Sequence, residues 1–237
     1  MSGANLPAGA SGAAAASDAA REPGAAATID PVAVIWSLPE AERAGKPLLL
    51  LLHGKGSNEG DLAGLMPRLE RQFAMASLRA PIPDGPGFSW FGVTPPGNLP
   101  DESVAAAADA VLAWLDTLPF APPRLGLLGF SQGGVVAVQT LRRAPHRVGF
   151  ALNLSGFVAE GVEPDDDMIA QHPVFWGRGD ADLVIGSAAI EHTAAWLPAH
   201  VALQAAVYRG LSHSISSAEL NDIAAFLQVQ LGTQPTG

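Results

Sequence analysis

Residues 47–53, Pro-Leu-Leu-Leu-Leu-Leu-His, carry five leucines in succession with no polar residue between them. A strand solvated on one face alternates apolar and polar side chains. An unbroken apolar run instead suits a strand buried on both faces, as in a parallel sheet covered by helices. Comparable runs follow at 74–78, 125–130, 148–154, 174–176 and 202–208, and the short β-branched stretch 32–36 reads as an edge strand. Helical patterns fall between them at 60–73, 101–118, 132–143, 187–197 and 216–231. The clearest sets Val104, Ala108, Val111, Leu115 and Leu118 on one stripe, with Asp101 as its N-cap directly after Pro100. Strand and helix alternate through most of the chain. The expected fold class is therefore α/β, a mainly parallel twisted sheet with helices on both faces.

Residues 29–231 suit a single domain of this kind, since no second linker divides them. Residues 1–28 are rich in Ala, Gly and Ser and read as a disordered tail, and 232–237 as a flexible C-terminus. The tail lacks the basic start and the continuous apolar core of a secretory signal, and no apolar run is long enough to span a bilayer. A cytoplasmic protein with no integral membrane contact is expected. The net charge of −10 repels phosphates, so no nucleic-acid partner is expected either. With no cysteine in the chain, disulfides and thiol catalysis are excluded.

Two connections are unusually long. Residues 81–100 hold six prolines and four glycines, and 157–171 are acidic and mixed. Loops that leave the C-terminal ends of parallel strands surround the site in such sheets. The first of these follows a strand and carries Phe88, Trp90 and Phe91, which are expected to wall a substrate pocket.

The strongest chemical signal is Gly129-Phe-Ser131-Gln-Gly133, placed between a buried strand and a helical pattern. A chain that reverses sharply from strand to helix leaves the serine in a strained backbone state with its hydroxyl projecting outward. Side chains two residues to either side would collide, which explains glycine at both places. Gly134 adds close packing of helix on strand. The serine also sits at a helix N-terminus, where free N–H groups favour a developing negative charge.

Downstream of such an elbow, an acid and then a histidine are expected in chain order. His146, His172, His192 and His200 sit in turns or helices away from the strand ends that matter. His213 alone follows a late strand and precedes the final helix, on the C-terminal rim. An imidazole there can take the serine proton at neutral pH and return it to a leaving alcohol. The acid should leave the preceding strand, which offers Asp180 and Asp182; spacing hardly separates them, and the other would bond loop amides or cap the next segment. An oxyanion site needs two backbone donors. One is the Gln132 amide, and the second should come from the glycine-rich loop 53–58, with His53 holding that loop. The same loop lacks the spacing of a phosphate-binding loop.

Four segments together resemble the phospholipase/carboxylesterase family of α/β hydrolases, which includes acyl-protein thioesterases and small bacterial carboxylesterases. They are 51–62, 129–134, 177–185 and 210–213, with Phe88-Ser-Trp-Phe91 and Leu154-Ser-Gly-Phe157 also similar. The resemblance implies an α/β-hydrolase fold and a triad of Ser131, Asp182 and His213, since the family's acid opens an Asp-x-x-Val-like element. It also implies Lys55, the residue after His-Gly, as the first oxyanion donor, with Gln132 as the second. Two positions depart from the pattern: Lys55 stands where an apolar residue is usual, and Leu183 where proline is common.

The expected activity is hydrolysis of a small-molecule ester of short or medium acyl length through an acyl-enzyme, with no metal or organic cofactor. Phe88, Trp90, Phe91, Phe157 and Leu183 are expected to line the acyl pocket. An acyl thioesterase or lysophospholipase on longer chains is the main alternative, and a non-catalytic binding module on the same fold is another. Small members of such families often form a homodimer, but no interface is legible in the sequence.

Overall fold

A computed structural model describes residues 28–92, 101–161 and 163–232. The expected N-terminal tail (all but Thr28), residues 93–100 of the proline-rich connection and the last five residues lie outside the described residues, as does the Asp101 side chain with its expected cap.

A seven-stranded sheet forms the centre. It comprises β1 (Val34–Trp36), β2 (Leu48–Leu52), β3 (Ala74–Leu78), β6 (Leu125–Phe130), β7 (Phe150–Leu154), β8 (Pro173–Gly179) and β9 (Ala202–Tyr208), in the spatial order β1-β3-β2-β6-β7-β8-β9. Only β1 runs antiparallel, against β3; every other pairing is parallel. The leucine run of β2 lies between β3 and β6 and is wholly buried. Its alternate residues feed two cores. Leu48, Leu50 and Leu52 join Val104, Val111, Val135 and Leu197 on one face, while Leu49 and Leu51 join Phe73, Phe150, Phe175 and Phe226 on the other. Helices α2 (Asp101–Asp116), α3 (Gln132–Arg143) and α4 (Ser187–His200) contribute to the first core, and α5 (Ser217–Gly232) to the second.

Three expectations need correction. The pattern at 60–73 is not one helix: α1 covers only Gly60–Ala63, and a 3₁₀ turn covers Met66–Arg68. Gly64 and Pro67 break the helix, because glycine is entropically costly there and proline has no N–H to donate. Leu62, Met66, Leu69 and Phe73 are nevertheless all buried, so the apolar spacing reports one covered face without a continuous helix. Strand β9, read from an apolar run like those of the interior strands, is the sheet edge, with Ala202, Gln204, Ala205 and Val207 exposed. The long connection after β3, which the sequence marks only as a loop, carries strands of its own. It begins with a hairpin, β4 (Ile82–Asp84) and β5 (Gly87–Ser89), turned at Gly85 with φ +61°.

The acidic connection after β7 is anchored from α3. Arg142 is 1% exposed. It donates two hydrogen bonds of 2.8 Å to the Asp166 carboxylate, and others to Gln139 Oε1, Ala159 O and Gly161 O. Every face of the guanidinium fork is thus satisfied, as a buried charge requires. Removing the carboxylate would leave that cation uncompensated. Asp166→Ala should therefore lower unfolding stability by about 3–5 kcal/mol in urea titrations, and an unchanged midpoint would show that the pair contributes nothing.

Candidate active site

Ser131 lies between β6 and α3 with φ 53° and ψ −118°, a region that side chains rarely occupy. The surroundings over-determine this conformation. Ser131 N–H donates to Leu154 O at 2.7 Å, and the Ser131 carbonyl accepts from Gly134 at 2.9 Å and Val135 at 3.2 Å. A methyl group on Gly129 would overlap the Gly133 carbonyl, and one on Gly133 would overlap the Leu52 carbonyl. A methyl on Gly134 would strike the buried amide of Asn153 on β7. At Gly129 and Gly133 glycine is needed because backbones touch there, with no room for Cβ.

The histidine and the acid arrive on two loops from the C-terminal ends of β9 and β8. His213 Nε2 lies 2.9 Å from Ser131 Oγ, and His213 Nδ1 lies 2.7 Å from Asp182 Oδ2. The Phe130 ring packs beside the imidazole, with centroids 4.9 Å apart. Asp182 also accepts from the Val184 amide at 2.9 Å. Burial pushes the Asp182 carboxyl up, but His213 and the Val184 and Ile185 amides outweigh it and hold it below the usual carboxylate range. Asp180 points elsewhere: its carboxylate accepts from the Gly210 amide, and its own N–H donates to Tyr208 O at 3.2 Å. Ala181 N–H donates to Leu211 O at 3.1 Å. The second aspartate thus helps stitch the acid loop to the histidine loop. Two of the other histidines bond elsewhere, His172 with Pro145 O and His200 with Trp196 O.

The loop after β2 approaches the serine from the opposite side. A methyl on Gly54 would sit 3.5 Å from Ser131 Cβ and 3.2 Å from the Phe130 ring, so the residue before Lys55 packs against the serine. Gln132 opens α3 immediately after Ser131. His53 is fully buried. Its Nε2 accepts from the Ala80 amide at 3.0 Å, which leaves the proton on Nδ1 to donate to Gly54 O at 2.7 Å. Burial lowers its pKa, in keeping with a neutral ring that braces the loop.

The expected pocket residues differ widely in burial. Trp90 and Phe91 are 1% and 2% exposed and belong to the core, so they present no wall to a substrate. Hydrogen bonds draw them inward: Trp90 Nε1 donates to His53 O at 2.8 Å, and the Gln132 side-chain amide accepts from Trp90 N and donates to Phe91 O. Leu183, next to Asp182, is 95% exposed. Phe88 and Phe157 are half-buried, Phe88 beneath the Arg79 guanidinium at 4.7 Å.

Sequence reasoning passes over two buried polar groups near the site. Asn153 donates from Nδ2 to Phe157 O at 3.3 Å; its signal is an amide within the apolar strand Phe-Ala-Leu-Asn-Leu. Glu219, in the first turn of α5, is fully buried with its carboxyl against Gly177 of β8. Its signal is a charge among Leu220, Ile223 and Phe226. Among the described residues, no three His, Asp or Glu side chains are grouped to hold a metal ion, and no helix is long and apolar enough to cross a membrane.

The parallel sheet, the elbow and the order of the three side chains define an α/β hydrolase of the serine class. The comparisons with known proteins give the family. The model of the phospholipase/carboxylesterase family matches residues 100–231, a span that takes in Ser131, Asp182 and His213. The chain belongs to that family of carboxylesterase and acyl-protein thioesterase hydrolases. Acyl-protein thioesterase 1 of Kluyveromyces lactis is 27% identical over 214 residues, 78% of this chain and 92% of that protein. In fold, acyl-protein thioesterase 2 of Zea mays superposes with a TM-score of 0.69 at 22% identity, covering 84% and 99% of the two chains. A carboxylesterase of Mesorhizobium loti superposes at 0.68 and 22%, covering 83% and 95%.

Burial raises the Glu219 carboxyl from 4.5 to about 7. The folded state therefore holds a proton that the unfolded state releases, so this group costs nothing below about pH 4.5, and stability falls as pH rises toward 7. Glu219→Gln should leave acid stability unchanged and stabilise the protein by about 2–3 kcal/mol near pH 8, read from urea unfolding at both pH values. Equal effects at the two pH values would show that folding leaves the Glu219 pKa unshifted.

Proposed function

We propose that the chain hydrolyses carboxylic esters of short to medium acyl length through an acyl-enzyme on Ser131. The observation that carries this is the unbroken relay from Ser131 Oγ through His213 to Asp182, with links of 2.9 and 2.7 Å. Asp182 accepts from Nδ1–H, which fixes the tautomer and leaves the Nε2 lone pair facing the serine hydroxyl. As Oγ attacks the ester carbonyl, Nε2 takes its proton, and Asp182 stabilises the imidazolium that forms. The Lys55 and Gln132 amides receive the negative charge on the carbonyl oxygen. The imidazolium then protonates the departing alcohol, and water activated by the same ring releases the acid.

The acyl preference follows from the side chains that remain to line a pocket. Of the four aromatic side chains expected there, only Phe88 and Phe157 retain exposed surface, which suits a small apolar contact rather than a long tunnel. The second reading, an acyl thioesterase, is favoured by the similarity to the Kluyveromyces lactis protein. A p-nitrophenyl ester series from two to sixteen carbons, run beside matching acyl thioesters, separates the two. The proposal expects kcat/KM to peak at or below about eight carbons, whereas a rising profile with faster thioester turnover would favour the second.

Ser131→Ala and His213→Ala should each lower kcat by about 10⁴-fold or more without loss of folded structure. Asp182→Asn should cost about 10³–10⁴-fold, and Asp180→Asn less than about tenfold. The reverse order for the two aspartates in steady-state hydrolysis would assign the orienting role to Asp180.

A further inference from the structure

We propose that Lys55, Asp84 and Ser89 form a side-chain clamp that aims the Lys55 amide at the oxyanion, making Asp84 and Ser89 positioning residues for the hydrolysis. The inference rests on the function proposed above and assigns a role to the hairpin after β3.

The geometry is a closed ring. Lys55 Nζ meets Asp84 Oδ2, on β4, at 3.0 Å. The same oxygen accepts from Ser89 Oγ, on β5, at 2.6 Å. Ser89 Oγ in turn accepts from the amide of Gly56, the residue next to Lys55, at 3.3 Å. Backbone bonds run alongside: Gly56 N–H donates to Phe88 O at 2.9 Å, and Phe88 N–H to Ser57 O at 2.7 Å. Gly87 lies so close that a methyl on it would overlap the Gly56 carbonyl. Gly56 itself turns at φ +71°. The Lys55 peptide is therefore gripped on both sides, by Gly54 against Phe130 and Ser131 and by Gly56 against the hairpin.

A donor that stabilises developing charge is effective only if it is aimed before the reaction begins. The Lys55–Asp84 pair is half-exposed, with side chains 54% and 33% accessible, and such pairs add little to global stability. Its position one residue from the donor makes orientation its main effect. The Ser89 hydroxyl and then the Lys55 ammonium hold the Asp84 carboxyl below its usual range, so the clamp stays charged at mildly acidic pH. Lysine at this place, where the family pattern is apolar, thus serves twice: its amide as donor, its ammonium as tether.

The test is steady-state hydrolysis of p-nitrophenyl butyrate by the full chain. Asp84→Ala should lower kcat about 3–10-fold, with KM within about twofold and the melting temperature unchanged. Ser89→Ala should lower kcat to a similar extent, and Lys55→Ala combined with Asp84→Ala should lose no more than either single change, as two members of one clamp do. About 1 M salt should bring wild-type kcat toward that of Asp84→Ala and leave the variant unaffected. Wild-type kcat in Asp84→Ala, a loss confined to KM, or single losses that multiply in the Lys55→Ala/Asp84→Ala pair would overturn the clamp while the esterase reading stands. A wild-type chain that releases no nitrophenol from any ester would overturn the esterase reading itself.

Discussion

The contact between three backbones, the end of β2, the end of β6 and the start of α3, is the constraint on which the site depends. Gly129, Gly133 and the Leu52 and Gly133 carbonyls approach within what a single methyl group would occupy. That closeness drives Ser131 to φ 53°, a conformation that costs about 1–3 kcal/mol. The cost is offset by the sheet on which it sits. The leucine run of β2 supplies large side chains to both cores, and the Ser131 backbone is hydrogen-bonded to Leu154, Gly134 and Val135. A buried parallel sheet and an outward-pointing hydroxyl are thus two consequences of the same packing.

Around that fixed point the remaining groups arrive on loops, and each loop is tied to a neighbour. The acid and histidine loops are joined by Asp180 to Gly210 and by Ala181 to Leu211. The loop after β2 is braced by His53 from within and by the hairpin from outside. Gln132 opens α3 directly after Ser131, and its side chain fastens Trp90 and Phe91 into the core. Side chains that look like substrate contacts here hold the frame, and the frame sets the distances among Ser131, His213 and Asp182.

How much of this is legible in the chain depends on how local each signal is. The unbroken apolar runs at 48–52 and 125–130 and the Gly-x-Ser-x-Gly turn are short-range patterns with steric causes, and they mark the sheet and the elbow directly. His213 is legible because only one histidine follows a late strand. Asp180 and Asp182 differ by two residues, and only the loop's path in space decides which meets the imidazole. The spacing of Leu62, Met66, Leu69 and Phe73 mimics a helix because covering a sheet face demands a similar rhythm, although Gly64 and Pro67 forbid the continuous element. Trp90 and Phe91 mislead because composition cannot tell a loop that lines a cleft from one folded back into the core. The Arg142–Asp166 pair and the Lys55–Asp84 pair join residues 24 and 29 positions apart, and no local pattern encodes either.

The central claim is that the Ser131 hydroxyl, activated by His213, is the nucleophile, and covalent labelling tests it most directly. A fluorophosphonate probe followed by peptide mass spectrometry should place one adduct per chain on Ser131. The same probe should react far more slowly with His213→Ala. No adduct, or an adduct on a different residue with Ser131 left free, would contradict the account.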